Sequence, residues 1–178
     1  MNKNSKTCIK ETRGDDAIKQ YNIWDRFFPG NTGWKKITDK KLQKAGVDYI
    51  VYGAHGEEMY VDLKTGIGDD YTDGGYPVVA VEIYQNDWFT NTDHKMTDFM
   101  LYYANDKYGE RFFLYDYKDI KKVSEEHRKK LIYKEDVDMY TYKNEGPFQW
   151  HRSFNGTGIY IRMPFDYIPV LKQYASEE

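Results

Sequence analysis

Two apolar runs with charges set inside them constrain this chain more than any other feature. Val47-Asp48-Tyr49-Ile50-Val51-Tyr52 is followed, across Gly53-Ala54-His55-Gly56-Glu57-Glu58, by Met59-Tyr60-Val61-Asp62-Leu63-Lys64-Thr65. The glycines and polar residues between the runs read as a hairpin turn, which predicts two antiparallel strands side by side. Successive side chains of a strand alternate between faces, so Asp62 and Lys64 share one face while Val61 and Leu63 point into packing on the other. With Asp48 on the neighbouring strand, three ionisable groups converge without any long-range folding assumption.

An acid-x-lysine on a strand is by itself most simply a surface ion pair of little energetic worth. The neighbours argue otherwise. Val47, Ile50, Val51, Val61, Leu63, Val78, Val79, Val81 and Ile83 form the continuous apolar runs of strands buried on both faces. A charge among them is costly unless it is paired or bound to a metal. Two carboxylates with a backbone carbonyl make a hard, oxygen-rich site suited to Mg²⁺ or Mn²⁺, and an adjacent lysine can orient a water or stabilise charge developing on a phosphate.

The residues and their order resemble the restriction-endonuclease-like nucleases, the PD-(D/E)XK superfamily, in its small phage and bacterial members. There an acid on one strand precedes an acid-x-lysine on the next, and Asp48, Asp62 and Lys64 fill those places. The resemblance extends over residues 15 to 120, with the triad as its diagnostic part, and departs from the name-giving motif in having no proline before Asp48. It implies an α/β fold, a mixed central β-sheet flanked by helices. It further implies a metal-dependent nuclease that hydrolyses phosphodiester bonds, with DNA as the substrate.

The implied roles follow residue by residue. Asp48, Asp62 and the Leu63 carbonyl hold the metal, Mg²⁺ with Mn²⁺ as its substitute. Lys64 handles the attacking water, and Glu82 or Asp16 adds a ligand. Asp16 opens an expected helix running to Phe28, and an acid in a helix's first turn is also favoured by the helix dipole alone. Two other readings stay open: an RNA- or nucleotide-cleaving relative, and a catalytically silent nuclease-like fold that binds nucleic acid or a protein, such as a phage factor.

The net charge of −3 demands local positive charge if phosphates are to be met. Lys35, Lys36, Lys40, Lys41 and Lys44 lie just upstream of Asp48 and form the candidate nucleic-acid contact. Lys118, Lys121, Lys122, Arg128, Lys129 and Lys130 interleave with Asp119, Glu125 and Glu126, the pattern of a solvated helix face. His55, His94, His127 and His151 have no metal-ligand spacing, His151 reads as a loop residue, and no glycine-rich phosphate loop follows a strand.

At 178 residues, 17% of them aromatic, the chain fits one nuclease-like domain spanning 1–178, with flexible ends at 1–12 and 175–178. A mean hydropathy of −0.87 does not contradict a packed core, because 18 tyrosines score as polar yet pack as large bodies. No apolar run suits a membrane span or a signal peptide, and a single cysteine forms no internal disulfide. A cytoplasmic setting, in a bacterium or a phage-infected cell, is the expectation. Whether a homodimer is the active species stays open.

Further strands are expected at Trp34–Ile37, Tyr76–Tyr84, Phe99–Tyr103, Arg111–Tyr115 and Gly158–Met163, and a polar helix at Asp116–Lys130. A glycine- and aspartate-rich connector is expected from Gly66 to Gly75. Pro169 argues against a long helix in the tail.

Overall fold

The structure, a computed structural model, describes residues 3–67, 72–73, 76–85, 88–89, 95–131, 144–152 and 158–176. Helices α1 (Lys3–Gln20) and α2 (Ile23–Phe27) are followed by strand β1 (Gly33–Lys36), helix α3 (Lys40–Lys44) and the hairpin β2 (Tyr49–Tyr52) and β3 (Glu58–Ile67). Next come β4 (Thr72–Asp73), β5 (Tyr76–Gln85), β6 (Trp88–Phe89), β7 (Phe99–Asp106), β8 (Gly109–Asp116) and helix α4 (Tyr117–Arg128). Strands β9 (Asn144–Glu145), β10 (Phe148–Arg152) and β11 (Gly158–Pro164), a 3₁₀ turn at Phe165–Tyr167 and β12 (Lys172–Ala175) complete the order.

The hairpin forms where the sequence places it. The Gly53 amide donates to the Glu57 carbonyl at 2.9 Å, and Gly56 turns the chain at φ +83°, a left-handed conformation that costs a side chain but not glycine. Register follows from burial: Tyr49 faces Val61, and both are buried. Slipping β3 by one residue would put Asp62 and Lys64 where Val61 and Leu63 now pack. Because a fully buried Val or Leu contributes about 1.5–3 kcal/mol, that alternative is strongly disfavoured.

The strands pair in the order β1-β2-β3-β7-β8-β12 in one sheet and β4-β5-β11-β10-β9 in another, with β6 alongside β5. The class is mixed α/β with a mixed central sheet and few helices. Its mixed character comes from β3 and β7, which run parallel from Val61 opposite Phe99, while the other described pairs are antiparallel.

Each face of the first sheet carries its own core. On one face α1 and α2 set Ala17, Ile18, Ile23, Trp24 and Phe27 against Tyr49, Val51, Val61, Leu101, Tyr103 and Leu114. On the other, Met100, Tyr102, Phe113 and Tyr115 meet Val79, Val81, Ile83, Ile159 and Ile161 of the second sheet and Tyr117, Ile120 and Val123 of α4. A smaller cluster of Ile37, Val47 and Ile50, with Leu42 and Tyr60 against it, closes the β1–β2 end.

Several expectations change. A single sheet becomes two, because β5 leaves β3 and pairs with β11 (Val81 opposite Ile161), a partner that lies far along the chain. Its alternation then leaves Glu82 exposed while Val81 and Ile83 are buried, so that acid does not point inward. The helix expected to open at Asp16 begins at Lys3 instead, within the end expected to be flexible, so Asp16 lies near its C-terminal end. The run to Phe28 is two helices, broken at Asn22, which takes φ +50° and ψ +46°, a conformation asparagine tolerates better than most residues. Within the stretch expected as a connector, β3 runs through Gly66 to Ile67 and β4 occupies 72–73, and 68–71 and 74–75 lie outside the described residues. The tail adds β12 to the edge of β8. His151 lies on β10 rather than in a loop, stacked on Tyr160 with ring centroids 5.7 Å apart. Among the described residues no helix is long and apolar enough to cross a membrane.

Candidate functional site

Asp48 is the last residue before β2, and its backbone is held from two sides. Its amide donates to the Val61 carbonyl at 2.9 Å, and its carbonyl accepts from the Ile37 amide at 2.8 Å. Tyr49 and Val51 pack on the helix side, so strand alternation sends Ile50 and Asp48 to the opposite face. Asp62 and Lys64 reach that face by the same rule, since Val61 and Leu63 pack toward α1 and α2. The face is covered at one end by the Ile37–Val47–Ile50 cluster and at the other by α4 and the second sheet.

Hydrogen bonds and an ion pair knit the triad together. The Leu63 amide donates to Asp48 Oδ2 at 2.9 Å. Lys64 Nζ lies 2.8 Å from Asp62 Oδ1; Asp62 is 3% exposed, whereas the lysine side chain is 40% exposed. Burial first, and then the Asp62 charge, push the Asp48 carboxyl up to about 6, against the Leu63 amide and Lys64, which pull it down. The Asp62 charge thus adds repulsion to the cost of burying Asp48, and Lys64 offsets part of it.

That repulsion is what an oxygen-coordinated dication relieves. The amide and carbonyl of a strand residue leave the backbone on the same side, so the Leu63 carbonyl lies on the side to which its amide reaches Asp48. Asp48, Asp62 and that carbonyl are all oxygen donors and could hold Mg²⁺ or Mn²⁺. Among the described residues, no three His, Cys, Asp or Glu side chains gather as a metal-holding group. The candidate set is therefore a carboxylate pair completed by backbone oxygen.

The other sequence candidates fall into different places. Asp16 is exposed on α1, the helix whose Gly14 contacts the Leu63 and Thr65 side, and its charge is felt at the Tyr49 hydroxyl. Its neighbour Asp15 is more engaged, accepting from the Tyr49 hydroxyl and pairing with Lys36. Glu82 lies beside α4, where the Ser124 hydroxyl donates to its carbonyl at 3.1 Å, and its charge acts on Tyr117. Lys40, Lys41 and Lys44 are exposed on α3, capped by Asp39, which accepts from the Lys41 amide at 2.7 Å. Lys35 is exposed on the edge strand β1, on the face opposite Lys36.

Sequence reading missed Tyr117. It is buried at the start of α4, capped by Asp116, and its hydroxyl is pushed up to about 12 by burial, then by Asp62, with Glu82 and Glu125 adding to the effect and Lys64 opposing it. A tyrosine in the first turn of a polar helix carries no signal of this in sequence, because only tertiary packing bonds the Tyr117 amide to the Asp98 carbonyl and brings the start of α4 into the field of Asp62. Compared with protein families, curated proteins and solved structures, the chain matches none.

Proposed function

We propose that this chain is a metal-dependent phosphodiesterase, a nuclease of restriction-endonuclease-like fold, with DNA as the first substrate to test. The observation that carries the reading is the convergence of Asp48, Asp62 and Lys64 on one partly covered sheet face, with Asp48 bonded to the Leu63 amide and Asp62 paired to Lys64. A surface ion pair would not bury one of its acids this deeply beside a second acid.

In this reading Asp48, Asp62 and the Leu63 carbonyl hold the cation. Bound Mg²⁺ supplies polarisation of a phosphoryl oxygen and of a water. Lys64, fixed at its root by β3 but half-exposed at its tip, orients the attacking water and stabilises negative charge growing on the phosphate. The exposed lysines of α3 position the nucleic-acid backbone. Glu82, whose charge reaches the same tyrosine as that of Asp62, and Asp16, whose charge reaches the same tyrosine as that of Asp48, are the further carboxylates to test.

The test is incubation with single-stranded, duplex and branched DNA and with RNA, in Mg²⁺, in Mn²⁺ and in EDTA. Cleavage should require the cation and disappear in Asp62→Asn. If every substrate survives intact but one is bound, the chain is a binding module, and the catalytic reading is wrong.

A further inference from the structure

The four residues Lys95-Met96-Thr97-Asp98, just ahead of β7, form a clasp joining three segments that meet at the triad. The Met96 amide donates to the Ala45 carbonyl at 2.9 Å, and the buried Thr97 hydroxyl donates to the Gly46 carbonyl at 2.7 Å, two residues before Asp48. The Asp98 amide donates to the Tyr60 carbonyl, and Asp98 Oδ2 accepts from the Tyr60 amide, each at 2.9 Å, two residues before Asp62. The Asp98 carbonyl accepts from the Tyr117 amide at 2.9 Å, tying in the start of α4.

The Gly46 side of the clasp tolerates no bulk. Gly46 has φ +79°, and a Cβ there would lie 2.4 Å from Thr97 Oγ1 and 2.9 Å from Lys95 Cδ. The turn that delivers Asp48 is therefore pressed against the segment that also holds β3. These four residues thus bond to the backbone just ahead of each carboxylate, adding to the direct bond from the Asp48 amide to the Val61 carbonyl.

We infer that Thr97 and Asp98 are positioning residues that set the separation of Asp48 and Asp62, and through it the affinity of the pair for a divalent cation. The hydrogen bond from the Leu63 amide to Asp48 Oδ2 crosses that separation and reports on it without any metal. Only the cation part of the inference rests on the proposed nuclease function.

The test compares Thr97→Val, which removes the hydroxyl at nearly constant shape, with Thr97→Ser, which restores it, and Asp98→Ala with Asp98→Asn, which keeps an acceptor oxygen. Amide hydrogen exchange is read at Leu63, with Phe113 on β8 as reference, and Mn²⁺ affinity by calorimetry. Removing one hydrogen bond predicts about tenfold faster exchange at Leu63 in Thr97→Val and Asp98→Ala, and Mn²⁺ binding weakened by about tenfold. Phe113 should be unchanged, and the Ser and Asn variants should recover both readouts. Exchange at Leu63 equal to wild type, or acceleration shared equally by Phe113, overturns the clasp. If Leu63 responds as expected while the wild type binds no Mn²⁺, the clasp stands as the positioning device and the metal reading falls.

Discussion

Asp48→Asn should make the cation-free protein more stable at neutral to alkaline pH, although it removes a proposed functional group. Burial and the Asp62 charge raise the Asp48 carboxyl from 3.8 to about 6. Between those values the folded chain keeps a proton that the unfolded chain has released, so this group's effect is a loss of stability as pH rises through the window. A gap of about two units, at about 1.4 kcal/mol each, sets a ceiling of about 3 kcal/mol on the loss. Water reaching the half-buried carboxylate lowers the expected value to about 1–2 kcal/mol. Asparagine removes the charge yet keeps an oxygen to accept from the Leu63 amide. For a chain of this length the gain corresponds to a rise in Tm of about 2–8 °C. Thermal melts by circular dichroism in EDTA at about pH 8 and about pH 4 measure it, and the difference should shrink toward zero at the acid end. Added Mn²⁺ should reverse the order by stabilising the wild type alone. A variant that melts below the wild type at the higher pH in EDTA, or a difference that ignores pH, would refute the raised Asp48 carboxyl on which this reasoning rests.

The remaining predictions concern the lysines. Lys64→Ala should lower turnover by ~10²-fold or more with substrate affinity largely retained, the scale expected for a positioned electrostatic group; single-turnover kinetics check it. Replacing Lys41 and Lys44 on α3 by glutamine should weaken nucleic-acid binding regardless of sequence and flatten the log–log salt dependence by roughly 0.7 to 0.9 for each phosphate no longer neutralised. Activity at saturating substrate should survive, and unchanged affinity and slope in fluorescence titrations would mark α3 as a solvated surface.

The hairpin and the order of its charges could be read from the chain alone, because glycines at a turn and apolar alternation are local signals. Gly53 and Gly56 set the turn, and the alternation of Val61 and Leu63 with Asp62 and Lys64 settled which side chains share a face. The strands from Phe99 and Arg111 and the helix beginning at Tyr117 were legible for the same reason. Pairing between distant segments was not. An apolar run states that a strand is buried but not against which partner, so only tertiary structure sent β5 to β11 and turned Glu82 outward. It also set Asp16 on the helix packed over the other face, brought Tyr117 into the electrostatic field of Asp62, and placed Thr97 and Asp98 between the two carboxylate-bearing segments. The sequence by itself determined which ionisable groups share a face of the hairpin. Their separation, burial and repulsion depend on interactions between residues remote in the chain, which local patterning does not encode.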